Sequence, residues 1–467
     1  MSFTTLTFAT FFLVVLVIYW QLRNTQAKNI FLLITSYVFY GWLHPWYAIL
    51  LGVSTIADHQ LAWGIYKKEK QARTLFFLSL FLNLGVLSFF KYFNFFREDL
   101  IATLQNIGIE PGYYFINLVL PFGLSFFTLK KLGYMIDVFN KRLVPTKSLI
   151  NFGLFVAFFP QLAAGPIDKA QKLIPQIEAK REWKTEYFSS SWQLILMGIF
   201  KKVVIASSIG SFISRLFAMN SLSGTIAIAA ALGFTLQILA DFSAYTDLSR
   251  GVARLLGFET SENFNNPYFS LTPSDFWDRW HITLSHWLRD YIFFPIRRFL
   301  MRRKERYPNW IIQSAPPLIT MLVSGVWHGA GWTYVIWGAY YGLLIVIYQA
   351  LGIHKNNLAK SSVKSFFVWL IMFSWIVFGW LIFSAPSIGW VIDLFSHPFI
   401  GSQAQIIIAT ITFTMTIFYT APLLIKMALD KYFHHNSFLH TLYYVVITLM
   451  TIIYINSATP DFIYFQF

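Results

Sequence analysis

Two histidines have the setting that chemistry would need. His328 lies in Leu322-Val-Ser-Gly-Val-Trp-His-Gly-Ala-Gly-Trp332, between two strongly apolar runs. An ionisable side chain at membrane depth is costly, which makes such a residue a functional candidate by default. Gly325, Gly329 and Gly331 flank it, and glycine lets a ligand or a second backbone come close. A histidine making one interhelical hydrogen bond beside tight glycine packing would look the same. His281 lies in Asp275-Phe-Trp-Asp-Arg-Trp-His-Ile-Thr-Leu-Ser-His-Trp-Leu-Arg-Asp290. On a continuous helix Asp278, His281 and Ser285 share a face, and Asp278 could hold the His281 ring in one tautomer. Trp280, Leu284 and Trp287 form a neighbouring apolar face; an interfacial helix anchored by tryptophan has the same signature. Arg279 and Asp275, at i and i+4, read as a structural ion pair.

A neutral imidazole can take the proton of a hydroxyl as its oxygen attacks a carbonyl. A low-dielectric passage disfavours the imidazolium and keeps the base available. The chemistry this suits is acyl transfer to an alcohol. The chain contains no cysteine, so it has no disulfide, thiolate metal site or cysteine nucleophile. His281 and His286 miss the i, i+4 spacing of a helical zinc pair, and no metal is expected. Nucleophile-elbow, phosphate-loop and dinucleotide motifs are missing.

The surrounding chain is built for lipid. Of 467 residues, 56% are hydrophobic and 12% charged, against about 45–50% and ~25% in ordinary globular proteins. A disordered chain, a coiled coil and a soluble multidomain enzyme are excluded. Apolar runs near 6–19, 30–43, 46–66, 74–96, 117–139, 188–216, 223–256, 311–327, 331–351, 364–384, 404–425 and 440–456 predict an all-α polytopic membrane protein. About 20 residues are needed per span, which gives roughly 11–12 transmembrane helices, the first starting near the N-terminus. No repeat or linker appears, so 1–467 reads as a single domain. The net charge is +15. The basic segments Arg23 and Lys28, Lys67 to Arg73, Lys141 to Lys147, Arg297 to Arg306, Lys355 to Lys364, and Lys426 and Lys431 fall on one side when the spans alternate. That side should be cytoplasmic, with both termini and Arg97–Tyr113 opposite. No soluble basic domain is present that would suggest nucleic acid as a partner.

Two stretches break the pattern. Asn151–Gln176 is apolar but interrupted by Pro160, Gly165 and Pro166, so it must be buried in protein or line a cavity. Asn263–Arg306 is too polar to cross lipid simply and reads as re-entrant or interfacial helices on the cytoplasmic side. His44, His354, His397, His434, His435 and His440 read as solvated or interfacial, and His59 as a packing or polar-network residue. Asp241 and Asp247 read as network residues, because buried carboxylates need partners.

Several longer motifs together resemble the membrane-bound O-acyltransferases, and within them the bacterial alginate O-acetylation branch. They are Ser36-Tyr-Val-Phe-Tyr-Gly41, Pro121-Phe-Gly-Leu-Ser-Phe-Phe127, Phe158-Phe-Pro-Gln-Leu-Ala-Ala-Gly-Pro-Ile167 and Asp241-Phe-Ser-Ala-Tyr-Thr-Asp247. Stronger still are Glu262-Asn-Phe-Asn-Asn-Pro-Tyr268, Asp275-Phe-Trp-Asp-Arg-Trp-His-Ile-Thr-Leu-Ser285 and Gly325-Val-Trp-His-Gly-Ala-Gly-Trp332. The resemblance implies a helical ring with a central tunnel, His328 as the catalytic histidine and His281 as the second active-site position. It implies donor entry from the cytoplasm and acceptor approach from the other side. Two positions depart from the branch: Ile296-Arg-Arg298 stands where a Leu-Gly-Gly turn is usual, and Tyr341 where histidine often precedes Gly342. The first leaves room for the D-alanyl-transfer relatives, whose donor is a carrier-protein thioester, and the sequence is also similar to peptidoglycan O-acetyltransferases.

The expectation is an O-acyltransferase of the bacterial inner membrane, moving an acyl group, foremost acetyl, from a thioester to an extracytoplasmic polysaccharide or a partner acyltransferase. The donor would be acetyl-coenzyme A or a phosphopantetheine carrier protein, with no permanently bound cofactor. Cations of Arg297–Arg306 would suit the donor's phosphates. His328 would be the base; His281 with Asp278 would position the thioester, supported by Ser285, Trp280, Trp327 and Arg279. The alternatives are D-alanyl or other acyl transfer from a carrier protein, a transporter or flippase, and a scaffold that recruits another acyltransferase.

Overall fold

In the computed structural model, residues 1–106, 120–219, 222–353, 362–433 and 436–455 are described. His354, Lys355, Lys360, His434, His435 and residues 107–113 therefore lie outside the described residues. Among the described residues, eight helices are long and apolar enough to cross a membrane: Glu69–Phe93, Thr185–Phe217, Gly224–Leu255, Asn309–His328, Trp332–Ala350, Val363–Ser384, Gln403–Tyr432 and Ser437–Tyr454. The other apolar runs are helical too, but shorter or more polar. Leu6–Gln21 has 16 residues, about 24 Å at 1.5 Å per residue; Thr25–Gly41 has 17 and Leu124–Phe139 has 16. Pro45–Lys67 has the length but carries Asp58, His59 and Gln60 in its middle.

The chain forms two compact units: Met1–Ser191 with Ser249–Ser261, and Trp192–Leu248 with Glu262–Phe467. In the first, helices start where side chains accept orphan amides. Thr5 accepts from Phe8 N, Asn24 from Gln26 N and Ser148 from Asn151 N. The helix that contains Arg97 continues to Asn106. Lys28, counted above with the basic loops, is buried and donates to the Arg181 carbonyl at 2.9 Å.

The broken stretch behaves as its prolines demand. Leu149–Ala157 stops at Phe158, a single turn Phe159–Leu162 follows, and helix resumes at Ala170–Glu178. Residues 152–168 are all buried. At the break the backbone Phe159 N donates to Ser36 Oγ at 3.2 Å, and buried side chains pair beside it, Lys130 Nζ with Gln161 Oε1 at 2.9 Å and Gln161 Nε2 with Asp168 Oδ2 at 2.7 Å. His59 contacts Phe152 and donates to the Thr146 carbonyl at 3.2 Å, a packing role.

The helix Thr185–Phe200, which belongs to the second unit from Trp192 onward, widens into a π-helical turn at Lys201–Ala206 and continues as Ser207–Phe217. Lys201 meets Asp247 at 2.7 Å and Lys202 meets Asp241 at 2.8 Å, both from Gly224–Leu255. These lysines are the partners the two aspartates require in an apolar setting.

Asn309–His328 and Trp332–Ala350 pack as a close antiparallel pair, and glycine sets their separation. A Cβ on Gly325 would run into the Tyr334 carbonyl oxygen, and one on Gly338 into that of Met321. Gly325→Ala is therefore expected to force the helices apart and destabilise the unit by about 1–3 kcal/mol. A lower thermal unfolding midpoint in detergent would register it; an unchanged midpoint would mean the backbones yield freely.

Candidate active site

Residues 263–306 contain none of the eight candidate spans. The stretch folds as short pieces: Pro273–Trp277, Ile282–Leu288, a π-helical Arg289–Phe293, and Phe294–Met301. Their break falls on His281. Its backbone is left-handed, φ 41°, a conformation that costs an L-residue roughly 1–2 kcal/mol. Asn263 holds it there. The Asn263 carbonyl accepts Ile282 N at 3.0 Å, and Asn265 N donates to the Arg279 carbonyl at 3.0 Å. The Asn263 side-chain oxygen also takes Thr283 N at 3.1 Å and Thr283 Oγ1 at 2.6 Å.

This turn corrects the expected helical face. Asp278 closes one helix and His281 opens the next, so Asp278, His281 and Ser285 do not share a continuous surface. His281 is fully buried, with the Phe242 ring edge-on at 4.7 Å. Asp278 is exposed, and with Trp277, Ser285, His286 and Arg289 it lines a cavity of about 200 Å³. Arg279 pairs with Asp275 at 2.9 Å, and Asp275 Oδ2 accepts Leu271 N at 3.2 Å, which is the structural pairing the spacing predicts. Ser285 Oγ donates to the Trp280 carbonyl at 3.1 Å.

His328 ends its helix and is 4% exposed. Its Nδ1 lies 2.6 Å from the Ser324 carbonyl oxygen. A carbonyl only accepts, so Nδ1 carries a proton, and in the neutral form of the ring the lone pair is on Nε2. The ring is clamped by Trp327 at 4.8 Å, Trp337 at 5.0 Å and Phe383 at 5.6 Å. The flanking glycines serve this clamp: a Cβ on Gly329 would strike the Tyr334 ring, which packs on Phe383 at 5.0 Å.

The two imidazoles share one neighbour. Trp327 stands 6.4 Å from His281 and 4.8 Å from His328. Burial pushes the His281 pKa well below its ordinary value, and His328 adds to the shift. Trp280 packs against Trp380 at 4.7 Å and Phe276 at 5.8 Å. Trp277 links this aromatic wall to the cavity, touching Tyr341 at 5.1 Å and Trp337 at 5.6 Å. The sequence marks both histidines as candidates, whereas Asn263, inside the Glu262–Tyr268 motif, carries no sign there of its hold on the His281 turn. Two consecutive lysines opposite two aspartates in neighbouring apolar runs were the available sign of the Lys201 and Lys202 pairs.

The described residues thus form a helical membrane chain with two buried imidazoles in an aromatic setting. The family model described as MBOAT, membrane-bound O-acyltransferase, matches residues 2–388. The chain belongs to this family, and it is a multi-pass membrane acyltransferase. It is 34% identical over 391 residues to the probable alginate O-acetylase AlgI of Pseudomonas aeruginosa, covering 83% of this chain and 73% of that protein. It is also 31% identical over 395 residues to the peptidoglycan O-acetyltransferase of Helicobacter pylori, covering 78% and 72%. To the teichoic acid D-alanyltransferase of Bacillus subtilis it is 28% identical over 277 residues, covering 57% and 69%.

Proposed function

We propose that this protein transfers an acetyl group from a cytoplasmic thioester to hydroxyls of an extracytoplasmic polysaccharide, in the inner membrane of a bacterium. The observation that carries the reading is the bond from His328 Nδ1 to the Ser324 carbonyl, because it selects the tautomer whose basic nitrogen is Nε2. The acceptor hydroxyl gives its proton to Nε2 as its oxygen attacks the thioester carbonyl. The intermediate collapses, the C–S bond breaks, and the thiolate takes the proton back from the imidazolium.

His281 is the second group of the site. A left-handed non-glycine residue held by its surroundings is typical of positions where geometry matters more than local stability. Its buried, uncharged ring suits a role against the thioester carbonyl or sulfur. The donor is coenzyme A or a phosphopantetheine arm, drawn to the exposed cations Arg297, Arg298, Arg302, Arg303, Lys304 and Arg306. The cavity by Asp278 and Arg289 supports donor access from the same segment. Acetyl is preferred over D-alanyl because the relatives named for acetyl transfer align over more of the chain. No permanently bound cofactor takes part.

The test uses purified protein in lipid vesicles, labelled acetyl-coenzyme A and an alginate oligosaccharide. Label should appear on the sugar with one free thiol released per ester; thiol release without labelled sugar would contradict the proposal. In the same assay His281→Ala is expected to lower kcat by about 10-fold or more while leaving the base intact. His281→Asn should retain more activity than His281→Ala, since asparagine keeps a polar donor and accepts left-handed backbone.

A further inference from the structure

The aromatic wall beside His328 contains donors that have no hydrogen-bond partner among the described residues. Trp337 is 0% exposed, and its Nε1 has no hydrogen-bond partner among the described residues. The same holds for Trp277 Nε1, Trp380 Nε1 and the Tyr341 hydroxyl, all in ring contact with Trp337. Buried polar groups are ordinarily paired, and a group of exceptions requires an explanation. Among these donors Trp337 is the one whose ring touches His328, 5.0 Å between centres with planes at 67°.

Acyl transfer creates a need at this place. When the acceptor oxygen attacks, the electron pair of the carbonyl π bond moves onto the carbonyl oxygen. A fixed donor in a dry site stabilises that charge far better than it would in water. A tryptophan N–H is donor-only and cannot compete for the proton that His328 takes.

We propose that Trp337 Nε1–H is an oxyanion donor, a catalytic residue that hydrogen-bonds the carbonyl oxygen of the tetrahedral intermediate. In the first step the acceptor O–H proton passes to His328 Nε2, the new C–O bond forms, and the oxyanion accepts from Trp337. In the second the C=O bond is restored, the C–S bond breaks, and the thiolate leaves with the proton from His328. This assignment rests on reading His328 as the base.

The test compares Trp337→Phe, and Trp337 replaced by β-(3-benzothienyl)alanine, with His328→Ala in vesicles supplied with acetyl-coenzyme A. The benzothienyl analogue keeps the indole shape and lacks the N–H, so it separates chemistry from packing. Each variant is assayed with the sugar acceptor and with hydroxylamine, a nucleophile that needs no base at neutral pH. Both Trp337 variants are expected to lose about 10²-fold in kcat with either acceptor, with KM for the thioester nearly unchanged. His328→Ala should be slow with the sugar and recover with hydroxylamine. Wild-type kcat in the benzothienyl variant overturns the oxyanion assignment, whatever His328→Ala does. Wild-type kcat of His328→Ala with the sugar overturns the base reading instead.

Discussion

His328→Ala is expected to reduce acyl transfer to the sugar by about 10²–10⁴-fold, the usual contribution of a positioned general base. The loss should fall on kcat, because the side chain acts on a proton that moves only in the transition state. His328→Gln should be nearly as slow. Glutamine can still donate to the Ser324 carbonyl, but it offers no basic nitrogen where Nε2 stood. The comparison isolates basicity from the hydrogen bond that orients the ring. Steady-state kinetics at equal folded protein measure it; a glutamine variant with most of the wild-type rate would show that orientation alone suffices.

The largest expected effect on stability lies in the first unit. Lys131 and Asp58 are 2.9 Å apart, each 2% exposed, on neighbouring helices of the first unit. Ser79 Oγ donates to Asp58 Oδ1 at 2.8 Å, and Asn83 Nδ2 reaches both carboxylate oxygens at 2.9 Å. Removing one member leaves the other charge buried and unpaired, which costs about 3–5 kcal/mol. Asp58→Leu should therefore lower the unfolding midpoint sharply, with Lys131 left behind. Asp58→Leu with Lys131→Met should recover much of the loss, since both charges are gone and only Ser79 and Asn83 need new partners. Thermal unfolding of the two single variants and the double variant gives the coupling. Additive losses would mean the pair contributes no interaction energy.

Much of the architecture was legible because lipid imposes one periodic demand, a long apolar helix, on every span. Gly224–Leu255 and Asn309–His328 follow their apolar runs closely. Asn151–Gln176 was readable for the converse reason: Pro160 and Pro166 remove backbone donors, and burial forces compensation. The misreading at Asp278, His281 and Ser285 came from treating spacing as if the helix were continuous. The break depends on Asn263, eighteen positions earlier in sequence, whose carbonyl and side chain fix the turn. Local pattern carries no sign of such a contact. Gly325 and Gly329 had two readings in sequence; the Tyr334 backbone and ring decide for packing. The tautomer of His328 was also beyond the sequence, because it depends on where a backbone oxygen points.

The central claim is that a neutral His328 sits where an activated acyl group meets a polysaccharide hydroxyl. Its most direct test is mass spectrometry of surface glycans from cells that carry either the wild-type protein or His328→Ala at equal membrane abundance. The account predicts that an O-acetyl ester present with the wild-type protein disappears in the variant, while the unesterified polymer persists. An ester profile identical in the two strains would contradict it.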